Sequence, residues 1–245
     1  FKAFEIKNYR WFFVSMFGNF ASMNIQMFVR GWLVFEITGS YEKLGWMTAA
    51  GGIVGLFAAP LGGVVADRIR QKIHVIQLGG ICNFLITLAV AWLIAGNHLI
   101  FEHLLIAAVC QGIVMNLMMP SRQALTKDVV GLNLLTNAIA LSTSGMNVAR
   151  LLLPGLAGGL IAALGGGNDN IEPAKWIYLI MAILYLFNTL GMFMVKVADN
   201  PQSDIEHKSV MTELGLGFKY VWDTPVILML LGLAGLSFAR YRKQY

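Results

Sequence analysis

The sequence predicts an all-α polytopic membrane protein: a six-helix bundle, then a linker and the truncated start of a seventh helix. Three observations carry this. Of 245 residues, 57% are hydrophobic and 13% charged, about half the roughly 25% charged share of a soluble domain, and the mean hydropathy is +0.66. Six apolar segments reach the roughly 20 residues that cross a hydrocarbon core about 30 Å thick as helix. The bases are concentrated in alternate connections between those segments.

The expected spans are 11–36, 44–66, 74–96, 102–121, 134–164 and 175–196. The first is too long for the apolar core of a signal peptide and lacks a small-residue cleavage site, so it is expected to remain as a span. The second runs through "AAGGIVG" (Ala49 to Gly55) and stops at Asp67 and three bases, Arg68, Arg70 and Lys72. The third and sixth are nearly featureless, with Asn83 and Thr87 in one and Asn188 and Thr189 in the other. The fourth carries Gln111, Asn116 and Ser121, and the fifth the small-residue run "PGLAGGLIAALGGG" (Pro154 to Gly167). Together they define a bundle over 1–197. The polar stretch 198–225 reads as a linker on the same side of the membrane as the N-terminus. Within it Val210, Leu214, Phe218 and Val221 recur at helical spacing, as in an amphipathic helix lying on a membrane surface. In 226–245, the run Val226 to Ala239 would reach about 21 Å at 1.5 Å per residue, short of a full crossing. With Phe1 at the start and the basic ending "RYRKQY", it is expected of a fragment or a half-size protein.

Orientation follows from the bases. Lys2, Lys7, Arg10, Arg68, Arg70, Lys72, Arg122, Lys127, Lys196, Lys208 and Lys219 fall on one side, and Lys43 and Lys175 on the other. The N-terminus is therefore expected in the cytoplasm. The net charge of +5 belongs to this asymmetry; no Lys/Arg run with interleaved aromatics marks a nucleic-acid binder. Cys82 and Cys110 lie in apolar runs without metal-site spacing, and neither a metal nor a cofactor is expected. An intramembrane enzyme would need a metal or nucleophile constellation. His98, Glu102 and His103 form the nearest approach to one, and they sit in an outer turn where solvated loop residues are the preferred reading.

Polar residues inside the spans are costly unless they face protein or water, and here they align. Ser15, Asn19, Ser22, Gln26 and Arg30 share one face of span one, and Thr136, Thr143, Asn147 and Arg150 one face of span five. Spans one and five, with four, are thus expected toward an aqueous cavity, and three and six toward lipid. For the Ser and Thr residues, hydrogen bonds across packed helices are the preferred alternative. Arg30 and Arg150 are read as pathway residues, with Asn19, Gln26, Asn116 and Asn147 beside them. Two such cations suit an anionic or aromatic small-molecule substrate. No acid falls at mid-membrane; Glu36 and Asp67 are the titratable groups that proton coupling would have to use. Pro154, Gly155, Gly158 and Gly159 are read as helix-packing residues, either static or at a sliding contact.

The stretch "GGVVADRIRQK" resembles the signature loop between spans two and three of the major facilitator superfamily. Gly63, Asp67 and Arg68 match that signature, Lys72 keeps its last base, and Arg70 and Gln71 depart from it. "QMFVRGWLVFEITGS", "PSRQALTKDVV", "NVARLLLPGLAGGLIAALGG" and "MTELGLGFKYVWDTPVI" are similar to the exporter branch that includes enterobactin-type siderophore exporters. The resemblance implies the N-terminal six-helix half of a major facilitator fold, with a cytoplasmic gate at Gly63, Asp67, Arg68 and Lys72. It also implies alternating access around a midplane substrate. The partner half would be a second six-helix bundle or a second copy. An inactive truncated product is the competing expectation.

Overall fold

The computed structural model describes residues 2–68, 72–167 and 170–195. The chain divides into two units, Phe1–Pro201 and Gln202–Tyr245. The amphipathic stretch 210–221 and the apolar run 226–239 belong to the second unit and lie outside the described residues, as do Arg70 and Gln71.

A single 3-10 turn, Lys2–Glu5, leads into six helices: α1 (Lys7–Thr38), α2 (Tyr41–Arg68), α3 (Lys72–Ala95), α4 (Phe101–Val130), α5 (Leu132–Ala163) and α6 (Ala174–Phe193). Among the described residues these six are long and apolar enough to cross a membrane. The all-helical architecture agrees with a six-helix bundle. α1 and α4 stop where a glycine leaves the helical region. Gly39 closes α1 at φ 59°, its N–H bonded to the Phe35 carbonyl at 2.7 Å, a left-handed cap that glycine adopts without a Cβ penalty.

The expected 4–5 turn is corrected. α4 continues through Pro120 to Val130, and the single residue Gly131, at φ 71°, separates it from α5. Arg122 and Lys127, read from the sequence as turn bases, therefore lie on a helix. A helix can retain an internal proline where neighbouring helices and side chains re-satisfy the freed backbone.

α3 packs along α6, α2 along α4, and α1 lies against both α6 and α5. The close pairs use small residues: a methyl group at Gly191 would overlap the Ser15 hydroxyl, at Gly80 the Thr189 hydroxyl, and at Gly62 the Asn116 backbone carbonyl. Two apolar clusters result. One gathers Tyr9, Phe12, Met16, Ile76, Met118, Leu125 and Met192 at the N-terminal end. The other gathers Val29, Leu33, Val90, Ile94, Leu104, Tyr178 and Met181 at the far end. Along α1, α3, α4 and α6 alike, the residues between the two clusters include buried polar side chains: Ser22 and Gln26, Asn83 and Thr87, Gln111, and Asn188 and Thr189. The bundle thus carries a polar layer at mid-depth.

That layer adds a polar inner side to α3 and α6, which were expected toward lipid. Each turns an apolar side outward, with Leu78, Leu85 and Trp92 exposed on α3 and Ile183, Phe187 and Leu190 on α6. Their few polar residues are buried on the inner side, where α3 and α6 are each other's neighbours. α1, expected to line water, is the most enclosed span, whereas α2 and α5 are the least enclosed.

Candidate functional site

The polar face of α1 is the backbone of the site. Ser15, Asn19, Ser22 and Gln26 are all buried, as residues stepped by three and four on one helix face must be when that face meets α4 and α6. Ser22 donates to the Gly18 carbonyl of its own helix at 3.1 Å and reaches the Met181 carbonyl of α6 at 3.2 Å. For this serine, bonding across packed helices describes its position.

Deeper along the same face a network converges on Gln111 of α4. Its Oε1 accepts from Gln26 Nε2 at 2.7 Å and also from Arg30 Nη2. Its Nε2 donates to Thr87 Oγ1 of α3 at 3.3 Å. Tyr185 Oη of α6 donates to Gln26 Oε1 at 3.2 Å. Four helices are therefore joined through two glutamines, and Arg30 is held by a neutral amide. Among the described residues Arg30 Nε has no hydrogen-bond partner, so the network retains donor capacity.

A second node lies toward the N-terminal end. With the Asn19 amide turned so that its oxygen meets donors, Oδ1 accepts from Arg122 Nη1 at 3.1 Å and Nη2 at 3.2 Å. The Arg122 guanidinium, 2% exposed, also stacks on Phe20 with its centre 5.2 Å from the ring centroid. Two arginines stand within the bundle, Arg30 on α1 and Arg122 on α4, and the sequence has no Asp or Glu from Asn8 to Phe35, from His103 to Lys127, or anywhere in α5 and α6.

The other expected site residues divide. Asn116 turns to its own helix, donating to the Gly112 carbonyl at 2.8 Å. Asn147 and Arg150 stand on the exposed side of α5, outside the Gln111 network. Gly158 packs against the Phe28 ring of α1, whereas a methyl group at Gly155 or Gly159 would meet no described neighbour; Pro154 is built into α5 without ending it. Asp67 and Arg68 close α2, and Gly63 likewise has open space beside it. Lys72 opens α3 and pairs with Asp128 near the end of α4 at 3.0 Å, both side chains being partly shielded.

Sequence reasoning missed Arg122, Thr87, Tyr178 and Tyr185 as members of the site. One signal was present: Arg122 follows Gln111 by eleven residues, three helical turns, and so shares its face.

No curated protein matches the chain. A family model, that of the Major Facilitator Superfamily, matches residues 12–241. The match takes in all six spans, and the chain belongs to the Major Facilitator Superfamily, a family of small-molecule membrane transporters rather than enzymes.

Proposed function

We propose that the protein is an exporter of the bacterial inner membrane that moves an anionic or aromatic small molecule by alternating access, with its N-terminus in the cytoplasm. The observation that carries this is the acid-free, arginine-bearing interior of the spans. Arg30 is bonded to one neutral amide and keeps donor capacity, and a carboxylate or phenolate cargo supplies a negative charge that the surrounding stretches of α1, α4 and α6 lack. A siderophore or drug-like cargo and the outward direction rest on the resemblance of "QMFVRGWLVFEITGS" and "PSRQALTKDVV" to the exporter branch. The cytoplasmic N-terminus rests on the distribution of bases.

The open sides of α2 and α5, with Gly51, Gly52, Gly55, Gly155 and Gly159 unobstructed, suit close approach of a second six-helix bundle, carried on the same polypeptide or by a second copy. In this reading Asn147 and Arg150 face the cleft between the bundles. Gly63, Asp67, Arg68 and Lys72 form the cytoplasmic gate, with Asp128 as a partner of Lys72.

The test is uptake of a catecholate–carboxylate compound into inverted membrane vesicles. Arg30→Ala and Arg150→Ala should each lower uptake at least tenfold with unchanged protein in the membrane. Unchanged uptake in both variants would overturn the assignment.

A further inference from the structure

Away from the polar network, α3 and α6 leave an apolar groove between their outer sides, about 690 Å³ in volume. Its walls are Leu85, Leu88 and Trp92 of α3 and Leu179 of α6, and its mouth is formed by Trp176 and Lys175. From Leu85 to Ala95 the lining covers ten residue steps of α3, about 15 Å at 1.5 Å per residue. That is half of a hydrocarbon core about 30 Å thick, the depth of one leaflet.

The chemistry changes at the mouth. Trp92 and Trp176 are 71% and 52% exposed, and tryptophan concentrates at the level of lipid headgroups. Lys175 Nζ stands 5.6 Å from the Trp176 ring centroid and pairs with Glu172, whose side chain is largely exposed. Lys175 lies in the first turn of α6, and Pro173 before it provides no side-chain cap. The helix dipole opposes a cation at this end and favours an anion. A phosphate group beside Lys175 would be favoured by both the ammonium and the helix end. Glu172, only partly satisfied by its lysine, is left to accept from an ammonium group.

We propose that this groove is a binding site for one phospholipid whose headgroup carries a phosphate and a primary amine. An acyl chain lies along Leu85, Leu88 and Leu179, the phosphate meets Lys175, and the amine meets Glu172. The side-by-side unlike charges of the Lys175–Glu172 pair distinguish this occupant from a purely anionic lipid, which Glu172 would repel. It also distinguishes it from a choline lipid, whose ammonium has no N–H to donate.

The test is native mass spectrometry of the full chain released from mild detergent after incubation with phosphatidylethanolamine, phosphatidylglycerol or phosphatidylcholine. The wild type should retain one phosphatidylethanolamine, several-fold more than either of the others. Lys175→Ala should lose that retention. Glu172→Gln, a change at an exposed side chain, should reverse the preference toward phosphatidylglycerol. Equal retention of all three lipids by the wild type would overturn the proposal, as would retention in Lys175→Ala matching the wild type. So would an unchanged preference in Glu172→Gln, which keeps the test decisive if the lysine variant fails to fold. None of these readouts depends on transport.

Discussion

Asn19→Ala should destabilise the bundle more than Arg122→Met, although the second replacement removes the larger and charged side chain. In the native structure the guanidinium is almost fully enclosed, and Asn19 Oδ1 takes both terminal N–H groups at 3.1 and 3.2 Å. Hydrogen bonds to a charged group contribute about 1.5–3 kcal/mol. Removing one partner of a buried charge costs more than removing the charge itself, because the charge is left desolvated and unmet. Both bonds share one acceptor and so count as little more than one. Asn19→Ala is accordingly expected to cost about 2–4 kcal/mol. Arg122→Met forfeits those bonds and the stacking on Phe20, worth about 0.5–2 kcal/mol, but it also removes the desolvation cost, for a net change within about 1 kcal/mol. The double variant should resemble Arg122→Met, giving a coupling energy of about 2–4 kcal/mol between the two positions. Equilibrium unfolding of the purified chain in mixed micelles with increasing dodecyl sulfate, followed by tryptophan fluorescence, measures all four corners of the cycle. If Arg122→Met costs as much as Asn19→Ala, or the two losses simply add, the pairing is not what holds this guanidinium.

Two further outcomes follow from the packing and the exposed end of the bundle. Gly62→Ala places a methyl against the Asn116 backbone carbonyl, which cannot rotate away; it should cost at least the 1–3 kcal/mol usual for overpacking in the same unfolding assay, whereas Gly63→Ala, beside open space, should be close to neutral. The Lys72–Asp128 pair is partly exposed, so Lys72→Ala should change stability by less than about 1 kcal/mol. Its role as a gate shows instead in transport: vesicle uptake should fall in Lys72→Asp and recover when Asp128→Lys is added, and failure of the exchange to restore uptake would separate the ion pair from gating.

The spans were legible because length and apolarity alone set them, and the six helices match the expected segments to within four residues at either end, apart from the far end of α4. The end of α4 was not. Proline at 120 followed by Arg122 and Lys127 has the composition of a turn, and only the packing of α4 on α1, which supplies Asn19 and Phe20 to Arg122, shows why the helix continues. The buried side of α1 was equally legible, since its period of three and four is local. What that side meets is not a local property. Tyr185 lies 159 residues from Gln26, and nothing in the spacing of α6 announces α1 as its neighbour. For the same reason the scarcity of polar residues on α3 and α6 pointed to their apolar outer sides but not to the shared interior that the few polar ones line. Arg150 and Arg30 looked equivalent as lone arginines in apolar runs; the fold gives one a glutamine and leaves the other at an open surface.

The distance along the chain between α1 and its partners also bears on how the protein is made. α1 emerges first and is the least hydrophobic of the six spans, with a hydropathy of 1.2, because it carries Asn19, Gln26 and Arg30. Gln111 follows 85 residues after Gln26, and Tyr185 only after 159. At a synthesis rate of about 5–20 residues per second, the second interval lasts roughly 10–30 s. For about the first half of it, the amide of Gln26 and the guanidinium of Arg30 are without Gln111, and for all of it Gln26 is without Tyr185. The insertion machinery, or water retained within it, must shelter this helix until α6 arrives. Biogenesis of the bundle therefore ends where its chain began, with the last span completing the environment of the first.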